Sequence, residues 1–597
     1  MLYPVYTETT NCRDCYKCVR TCPVKAIQIK DGSAVIIKDR CIFCGRCVAV
    51  CPNSAKKIRS DLSRAKVLMG TKDRVICSLA PSFASEFRGK EEKLLAALRR
   101  LGFWAVSETA IGAAYVSAAI DKYAEEHDGK CPWISTACPS VVEIVRKYHP
   151  EDTAYLAKVP SPLQTHCAYL RKLYGEDIGI IFIGPCAAKK NEADIAPGYP
   201  DIALTWDELR TWMADEHFSL DSVDPSEALS FVPAKAGVSA YYPVENGQIV
   251  TSKLWGSSAF NKDAVPLSGM GEIQAVFSKL SDDMPFLELL SCEGGCINGP
   301  VGDKSVSLAE RKSAVVKFTQ ARLEGGEKLF EPDPAFVDEV LSEGYGLLKT
   351  AKMEHLAPIR RDFSEDEIRK ALLELGKTEK ADELNCGGCG YNTCRDMAIA
   401  YLSGMAEVEM CVTKMRKEAQ SKVDVLLRTI PNAIVIMNKD LNIADCNLNF
   451  LRIFGDMDES LLDESMLQLV SGLPLERFVP FYQKFNDEFY AQKMNQYRLH
   501  YKDKFLRVTF FLVEEGRLLG AMFEDITNPT VRRETVVKKA EDVIQKSLET
   551  VQQIASLLGE NAAETEIMLN SLIDAFSVHN EKEADTDGFT LDEDNIE

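Results

Sequence analysis

The chain has 597 residues, 46% apolar and 27% charged, the make-up of a soluble globular protein of about four domains. A net charge of −20 argues against nucleic acid or an anionic membrane as partner. No apolar run reaches the roughly 18 residues of a membrane span, and the opening residues MLYPVYTETTNCRDC lack a secretory pattern, so a cytoplasmic protein is expected.

Twenty cysteines in such a chain point to metal ligation in a reducing compartment rather than to disulfides. Cys12, Cys15, Cys18 and Cys22, followed by Pro23, form the run C-x2-C-x2-C-x3-C-P. Cys41, Cys44, Cys47 and Cys51, followed by Pro52, repeat it. This spacing wraps three thiolates around one [4Fe–4S] cluster and lends the fourth to the other cluster. Cys12, Cys15, Cys18 and Cys51 are therefore expected to hold one cluster, and Cys41, Cys44, Cys47 and Cys22 the second. A structural zinc site would show two CxxC pairs, without the x3 step and the proline. Residues 1–60 read as a ferredoxin-like 2[4Fe–4S] domain with little core of its own, and 60–72 as a charged connector.

From Arg74 the pattern changes. VICSLAP (75–81), CPWIST (131–136), IGIIFIGP (178–185) and FLELLSC (286–292) read as buried strands, with LLAALRRLGF and AAYVSAAIDKYAEEH as helices between them. That alternation predicts an α/β domain over 73–350 with mainly parallel sheets. Ligands in such sheets lie at the carboxyl ends of strands, and the cysteines gather there. Cys138 lies in ISTACPS, Cys186 in FIGPCAAKKNEAD, and Cys292 and Cys296 in ELLSCEGGCINGP. Gly294 and Gly295 would let backbone approach a ligand closely. Lys189 and Lys190 could offset thiolate charge. From the residues alone this is a third cluster site or a structural zinc.

Residues 351–415 read as a polar helical linker followed by a small [4Fe–4S] domain. Cys386, Cys389, Cys394 and Cys411 have the spacing C-x2-C-x4-C-x16-C, with Gly387, Gly388 and Gly390 permitting a tight wrap. The segment resembles the small [4Fe–4S] domain of corrinoid-pathway and membrane-redox electron carriers, and zinc is the plainer alternative. A relay or a sensed cluster is expected there. Cys77, Cys131, Cys167 and Cys446 remain, read as small apolar core residues, with Cys77 nearest the expected pocket. Residues 424–528 alternate strands, turns and helices. An amphipathic helix with a and d spacing follows over 529–578, then an acidic disordered tail over 579–597.

The order TACP, GPCAAKK, SCEGGCINGP, over roughly 75–350, resembles the three signature segments of the [FeFe]-hydrogenases. The resemblance implies a two-lobed domain whose four cysteines hold a fourth [4Fe–4S] cluster. One cysteine bridges it to a di-iron subcluster carrying CO, cyanide and an azadithiolate. Together these form the H-cluster, which interconverts protons and electrons with H2. Position by position, Cys138, Cys186, Cys292 and Cys296 match the ligands, with Cys296 the bridge. Lys189 matches the donor to one cyanide. Ala80, Pro81 and Ser82 match the segment contacting the other, and Pro162 is a further cofactor contact.

The departures concern proton delivery. Ala137 stands where the family has its relay cysteine, and a methyl group transfers no proton. Gly184 and Leu290 replace methionines. Ala118, Ala119 and Ile120 stand where relay acids are expected, and Ala157 replaces a serine. The resemblance then implies slow turnover or another proton path, for which Glu192 and Glu293 are candidates, and a gain in turnover from Ala137→Cys.

Residues 424–528, with AIVIMNKDLNIADCN and FEDIT, resemble a PAS sensor domain, here read as unliganded, with His500 a surface residue and Cys446 outside any photoreactive motif. The helix after it suggests a homodimer, and a separate output protein is expected. The whole reads as multidomain α/β and α+β. The leading reading is a sensory or regulatory hydrogenase that binds or slowly oxidises H2 and signals through its clusters, with a ferredoxin-like redox partner. The alternatives are a ferredoxin-linked catalytic hydrogenase and an iron–sulfur scaffold without a di-iron site. Lys189 and the SLAPS segment argue against the scaffold.

Overall fold

The computed structural model describes residues 3–126, 134–254, 264–277, 280, 285–343, 362–456, 463–485, 496–514 and 516–527. Two compact units divide the chain. One comprises Met1–Cys12, Tyr16–Ala371 and Leu384–Glu407, and the other comprises Arg13–Cys15, Leu372–Glu383 and the chain from Val408.

The first unit begins with four short strands, β1 (Val5–Thr7), β2 (Ile27–Lys30), β3 (Ser33–Ile36) and β4 (Lys56–Ile58), paired antiparallel as β1 with β4 and β2 with β3. The helices Lys17–Thr21 and Arg46–Ala49 each begin one residue before the third cysteine of a run. Val5, Val19, Ile27, Ile29 and Ile42 are among the buried apolar residues of this module.

The connector expected over 60–72 is instead a docked helix, Leu62–Thr71. Leu62 and Ala65 are buried, and Leu68 and Met69 pack on the neighbouring core, which is helical spacing hidden among lysines and arginines. Asp61 anchors its start, accepting from Arg59 at 2.9 Å and from the buried Lys190 at 3.1 Å.

Four parallel strands follow: β5 (Val75–Leu79), β6 (Ala105–Glu108), β7 (Gly179–Gly184) and β8 (Ile202–Thr205), in spatial order β6-β5-β7-β8. Every residue in them is buried, as expected of a parallel sheet covered on both faces. A second parallel pair joins β9 (Val265–Ser268) to β10 (Leu287–Leu290). The strand expected over 131–136 is reduced, within the described residues, to bridges from Ile134 to Leu156 and Leu287. The helices Ala110–Glu126 and Pro162–Tyr174 approach so closely that a Cβ on Gly112 would meet the Pro162 carbonyl and His166. Glycine is required there by space.

His166 is fully buried, with Nδ1 2.8 Å from Ser78 Oγ and Nε2 2.8 Å from Ser107 Oγ. Burial holds its pKa down to about 3. An unfolded histidine titrates near about 6.5. Below that pH the unfolded chain binds a proton that the folded chain refuses. The stability contribution is therefore whole above about pH 6.5 and falls by about 1.4 kcal/mol per pH unit toward the folded value. Urea unfolding at about pH 7 and about pH 5 should show wild type losing about 2 kcal/mol more than His166→Gln.

The second unit carries the helix Val412–Thr429 and five antiparallel strands: β11 (Ala433–Asn438), β12 (Ile443–Cys446), β13 (Gln496–Tyr501), β14 (Lys504–Glu514) and β15 (Leu518–Asp525). Their spatial order is β12-β11-β15-β14-β13. Phe450, Phe454, Phe485, Phe510 and Phe523 are buried together in this unit's main core cluster. Asn447 ties three elements together. Its Oδ1 accepts from Ile434 N and Phe450 N, and its Nδ2 donates to Leu427 O and Asn432 O. His500 is exposed on β13, and Cys446 is buried. The helix expected over 529–578 and the tail over 579–597 lie outside the described residues.

Candidate metal centres and the buried cavity

Parallel strands deliver their following turns to one edge of a sheet, and a buried cavity lies where those of β5, β7 and β10 meet. Ala80, Pro81 and Ser82 line it after β5, and Pro185, Cys186 and Lys189 after β7. Leu290, Cys292 and Cys296 line it after β10, and Ala137, Cys138 and Pro162 complete the wall. Gly295, at φ +108°, allows the tight approach after Cys292, since a Cβ there would meet the Pro243 carbonyl and stand 2.8 Å from Val244 Cα. Gly184 stands where the resemblance expects methionine. The space is taken by the Phe182 ring, 2.5 Å from where a Cβ would stand.

The four thiols act on one another. Burial and then the neighbouring Cys296, Cys186 and Cys138 push the Cys292 thiol well up. Burial and then Cys138 and Cys186 raise Cys296. Burial and then Cys138 raise Cys186 to about 11, and Lys189 opposes that rise. Thiols so raised as Cys186, Cys292 and Cys296 cannot all lose protons without a cation among them, which is the donor chemistry of a metal cluster. Two further polar groups suit a bound group with acceptor atoms. Ser82 Oγ and Gln248 Nε2 are buried, line the cavity and have no hydrogen-bond partner among the described residues. The Gln248 carbonyl is already engaged by Ser135 Oγ at 2.6 Å.

In the N-terminal module, Cys22, Cys41, Cys44 and Cys47 surround one small cavity. Burial and then neighbours including Cys22 raise the Cys41 and Cys44 thiols to about 12. Cys44 also lines the larger cavity, and a Cβ on Gly45 would stand 2.7 Å from Pro300. Cys12 and Cys51 accept from the backbone N–H of Ala34 and Ala55, and Cys18 is buried. Cys15 falls in the second unit.

Residues 73–300 match the family model described as iron-only hydrogenase large subunit, C-terminal domain. Residues 4–52 match a 4Fe-4S dicluster domain, and 382–413 a putative Fe-S cluster domain. The chain thus carries an iron-only-hydrogenase-like domain beside iron–sulfur cluster domains. Among solved structures, a variant of the [FeFe]-hydrogenase HydA1 from Chlamydomonas reinhardtii is similar at 16% identity, over 48% of this chain and 96% of that one, with a TM-score of 0.36. The PAS domain of an HTR-like protein from Haloarcula marismortui is similar at 22% identity, over 19% of this chain and 97% of that one, with a TM-score of 0.16.

Within this hydrogenase-like domain the expected proton residues fall unevenly. Ala119, Ile120 and Ala157 are buried in an apolar cluster, and Ala118 packs against it. Glu192 is fully buried but is not among the residues lining the cavity. It is held by Lys189 Nζ at 2.5 Å and by the Ser161 hydroxyl, and Lys189 also donates to Ser161 Oγ at 3.1 Å. That places Glu192 as the charge partner that positions Lys189. Glu293 is exposed. Cys77 lies in the interior of β5 and does not line the cavity among the described residues, and Cys167 is likewise core. Cys131 lies outside the described residues.

The acid that does line the cavity is Glu288, on β10. Its Oε2 accepts from Ile249 N at 3.2 Å. Burial pushes its pKa up to about 7, opposed by backbone N–H groups and aided by Glu245. Glu245 is partly exposed and bonded to Ser268 Oγ and Lys312 Nζ. The sequence signal was available: one acid inside the apolar strand LELL, where an unpaired charge is rarely tolerated.

In the small cysteine domain, Cys386, Cys389 and Cys394 belong to the first unit and Cys411 to the second. Gly387 and Gly390 have φ of +70° and +95°, and Asn385 Oδ1 accepts from Cys394 N at 2.8 Å. Cys411 precedes the helix Val412–Thr429, its thiol 3.3 Å from Thr413 Oγ1.

Proposed function

We propose that the chain is a slow, H2-sensing [FeFe]-hydrogenase. The observation that carries the reading is the cavity itself, where four mutually interacting thiols meet Lys189 and the unpartnered Ser82 and Gln248 donors. Cys138, Cys186, Cys292 and Cys296 would hold a [4Fe–4S] cluster, with Cys296 bridging to a di-iron subcluster carrying CO, cyanide and azadithiolate. Lys189 and Ser82 would donate to its diatomic ligands, while Ala80, Pro81 and Pro162 would keep water from it. When bound, this group supplies the metal at which H2 is split into two protons and two electrons.

Glu288 takes up and releases the protons from the cavity side, with Glu245 as its partner toward solvent. Near neutral pH both forms of Glu288 are populated, as a proton carrier requires. The eight cysteines of the N-terminal module would hold two [4Fe–4S] clusters that supply a path for the electrons, with a ferredoxin as external partner. The strand order of the second unit supports a PAS sensor, which would pass the redox state to a separate protein from a homodimer.

Infrared spectroscopy of the full chain matured with the di-iron cofactor tests this reading. CO and cyanide bands are expected. Their absence would overturn the di-iron site and leave an iron–sulfur scaffold. Cys296→Ser is expected to lose those bands while the N-terminal clusters stay.

A further inference from the structure

The segment Leu384–Glu407 folds onto the N-terminal module along a backbone seam. Ile29 N donates to Met405 O at 3.0 Å, Gln28 Nε2 to Gly404 O at 2.6 Å and Arg20 Nη1 to Gly388 O at 3.3 Å. Gly390 lies so near the helix Lys17–Thr21 that a Cβ on it would stand 3.1 Å from Arg20 N and from Val19 Cγ1. Two side chains occupy the seam beside the cysteines. Lys25 donates to Val19 O at 3.3 Å, and its Nζ lies 6.0 Å from the centre of the Tyr391 ring. Its ammonium acts electrostatically on both Cys22 and Cys389. The Tyr391 side chain is 5% exposed, its hydroxyl has no hydrogen-bond partner among the described residues, and it too feels both Cys389 and Cys22.

Cys22 and Cys389, which belong to different cysteine sets, thus both act electrostatically on Lys25 and Tyr391, which face each other across the seam. Cys22 also belongs with Cys41, Cys44 and Cys47, of which Cys44 lines the large cavity. We propose that the cluster held by Cys22, Cys41, Cys44 and Cys47 is an electron junction, facing the catalytic cavity through Cys44 and the small-domain cluster through Cys22, with Lys25 and Tyr391 forming the bridge to Cys389. This rests on the cluster assignments above. In the step itself one electron leaves the reduced junction cluster, which is oxidised, and reduces the small-domain cluster. No proton or bond moves. The Lys25 ammonium stabilises the added negative charge on either side, and the Tyr391 ring fills the gap with polarisable atoms in place of water.

The test uses the full chain with its [4Fe–4S] clusters reconstituted and no di-iron cofactor, so that activity plays no part. Redox titration is followed by electron paramagnetic resonance, and Cys394→Ser identifies the small-domain signal. Lys25→Met is expected to lower the midpoint potentials of two clusters together, the junction and the small-domain cluster. Lys25→Arg should hold both. Gly390→Val, which wedges the seam open, should remove the spin–spin broadening between those two signals. A shift confined to one cluster, or broadening unchanged in Gly390→Val, would overturn the junction while leaving the cluster assignments intact. A spectrum unaltered by Cys394→Ser would instead overturn the small-domain cluster, and the junction with it.

Discussion

Glu288→Gln is expected to lower H2 turnover by roughly 10²–10⁴-fold, the usual worth of a positioned proton carrier, with the infrared bands of the matured site unchanged. Glutamine keeps the shape of the side chain and an oxygen to accept from Ile249 N, so the loss isolates proton transfer from packing. On the proposed function, the ionised form of Glu288 would accept protons from H2 oxidation and the protonated form would give them in H2 evolution. With the pKa near 7, oxidation should rise with pH through about 7 and evolution should fall. Both inflections should vanish in Glu288→Gln. The same geometry revises the expectation for Ala137→Cys. A thiol there would reach the cavity, but the old route behind it is closed by Ala119, Ile120 and Ala157, all 1% exposed or less. The single substitution should therefore raise turnover by less than about 10-fold, far short of a restored relay. A larger gain, measured in the same assay, would mean that protons still cross that apolar wall.

Lys190→Met is expected to destabilise the chain by about 3–5 kcal/mol, the range for removing one member of a buried ion network. Lys190 is fully buried and bonds Asp61 Oδ2 at 3.1 Å, Glu208 Oε1 at 3.0 Å and the Ala203 carbonyl at 2.8 Å. Asp61 keeps Arg59 and Arg64 when the lysine is lost, whereas Glu208 is left in low dielectric with only the Thr205 cap and the Asp61 N–H. Denaturant unfolding should show a lower midpoint with an unchanged slope. Because Asp61 begins the helix Leu62–Thr71, proteolysis should also appear first near residues 60–72 in the variant. Lys189, its neighbour in sequence, lines the cavity instead.

Metal-binding spacing is set by the size of the cluster, so the cysteine runs could be read directly from the chain. Strands β5, β7 and β10 were equally readable, because strands buried along their whole length are mostly apolar, Ser78 and Glu288 being the polar exceptions in β5 and β10. Helix Leu62–Thr71 was not, since its apolar residues are diluted by the charges on its outer face. Glu192 was expected on the proton path, whereas Glu288, given no role from the sequence, is the glutamate that lines the cavity. Sequence shows that a glutamate follows Cys186, but only the fold shows that it turns toward Lys189 and Ser161 rather than the cavity. The seam that binds the small cysteine domain joins the Arg20 guanidinium to the Gly388 carbonyl, residues 368 apart, and its acceptors are backbone carbonyls, which leave no composition signal.

The most direct test of H2 chemistry at the four-cysteine cavity is isotope exchange. The full chain, matured with the di-iron cofactor and showing its infrared bands, is placed under D2 in light water, and HD is followed by mass spectrometry. Slow but definite HD release is expected, strongly reduced in Glu288→Gln and absent in Cys296→Ser. Matured protein that shows the bands and releases no HD, or releases it unchanged in both variants, would contradict H2 chemistry at this cavity.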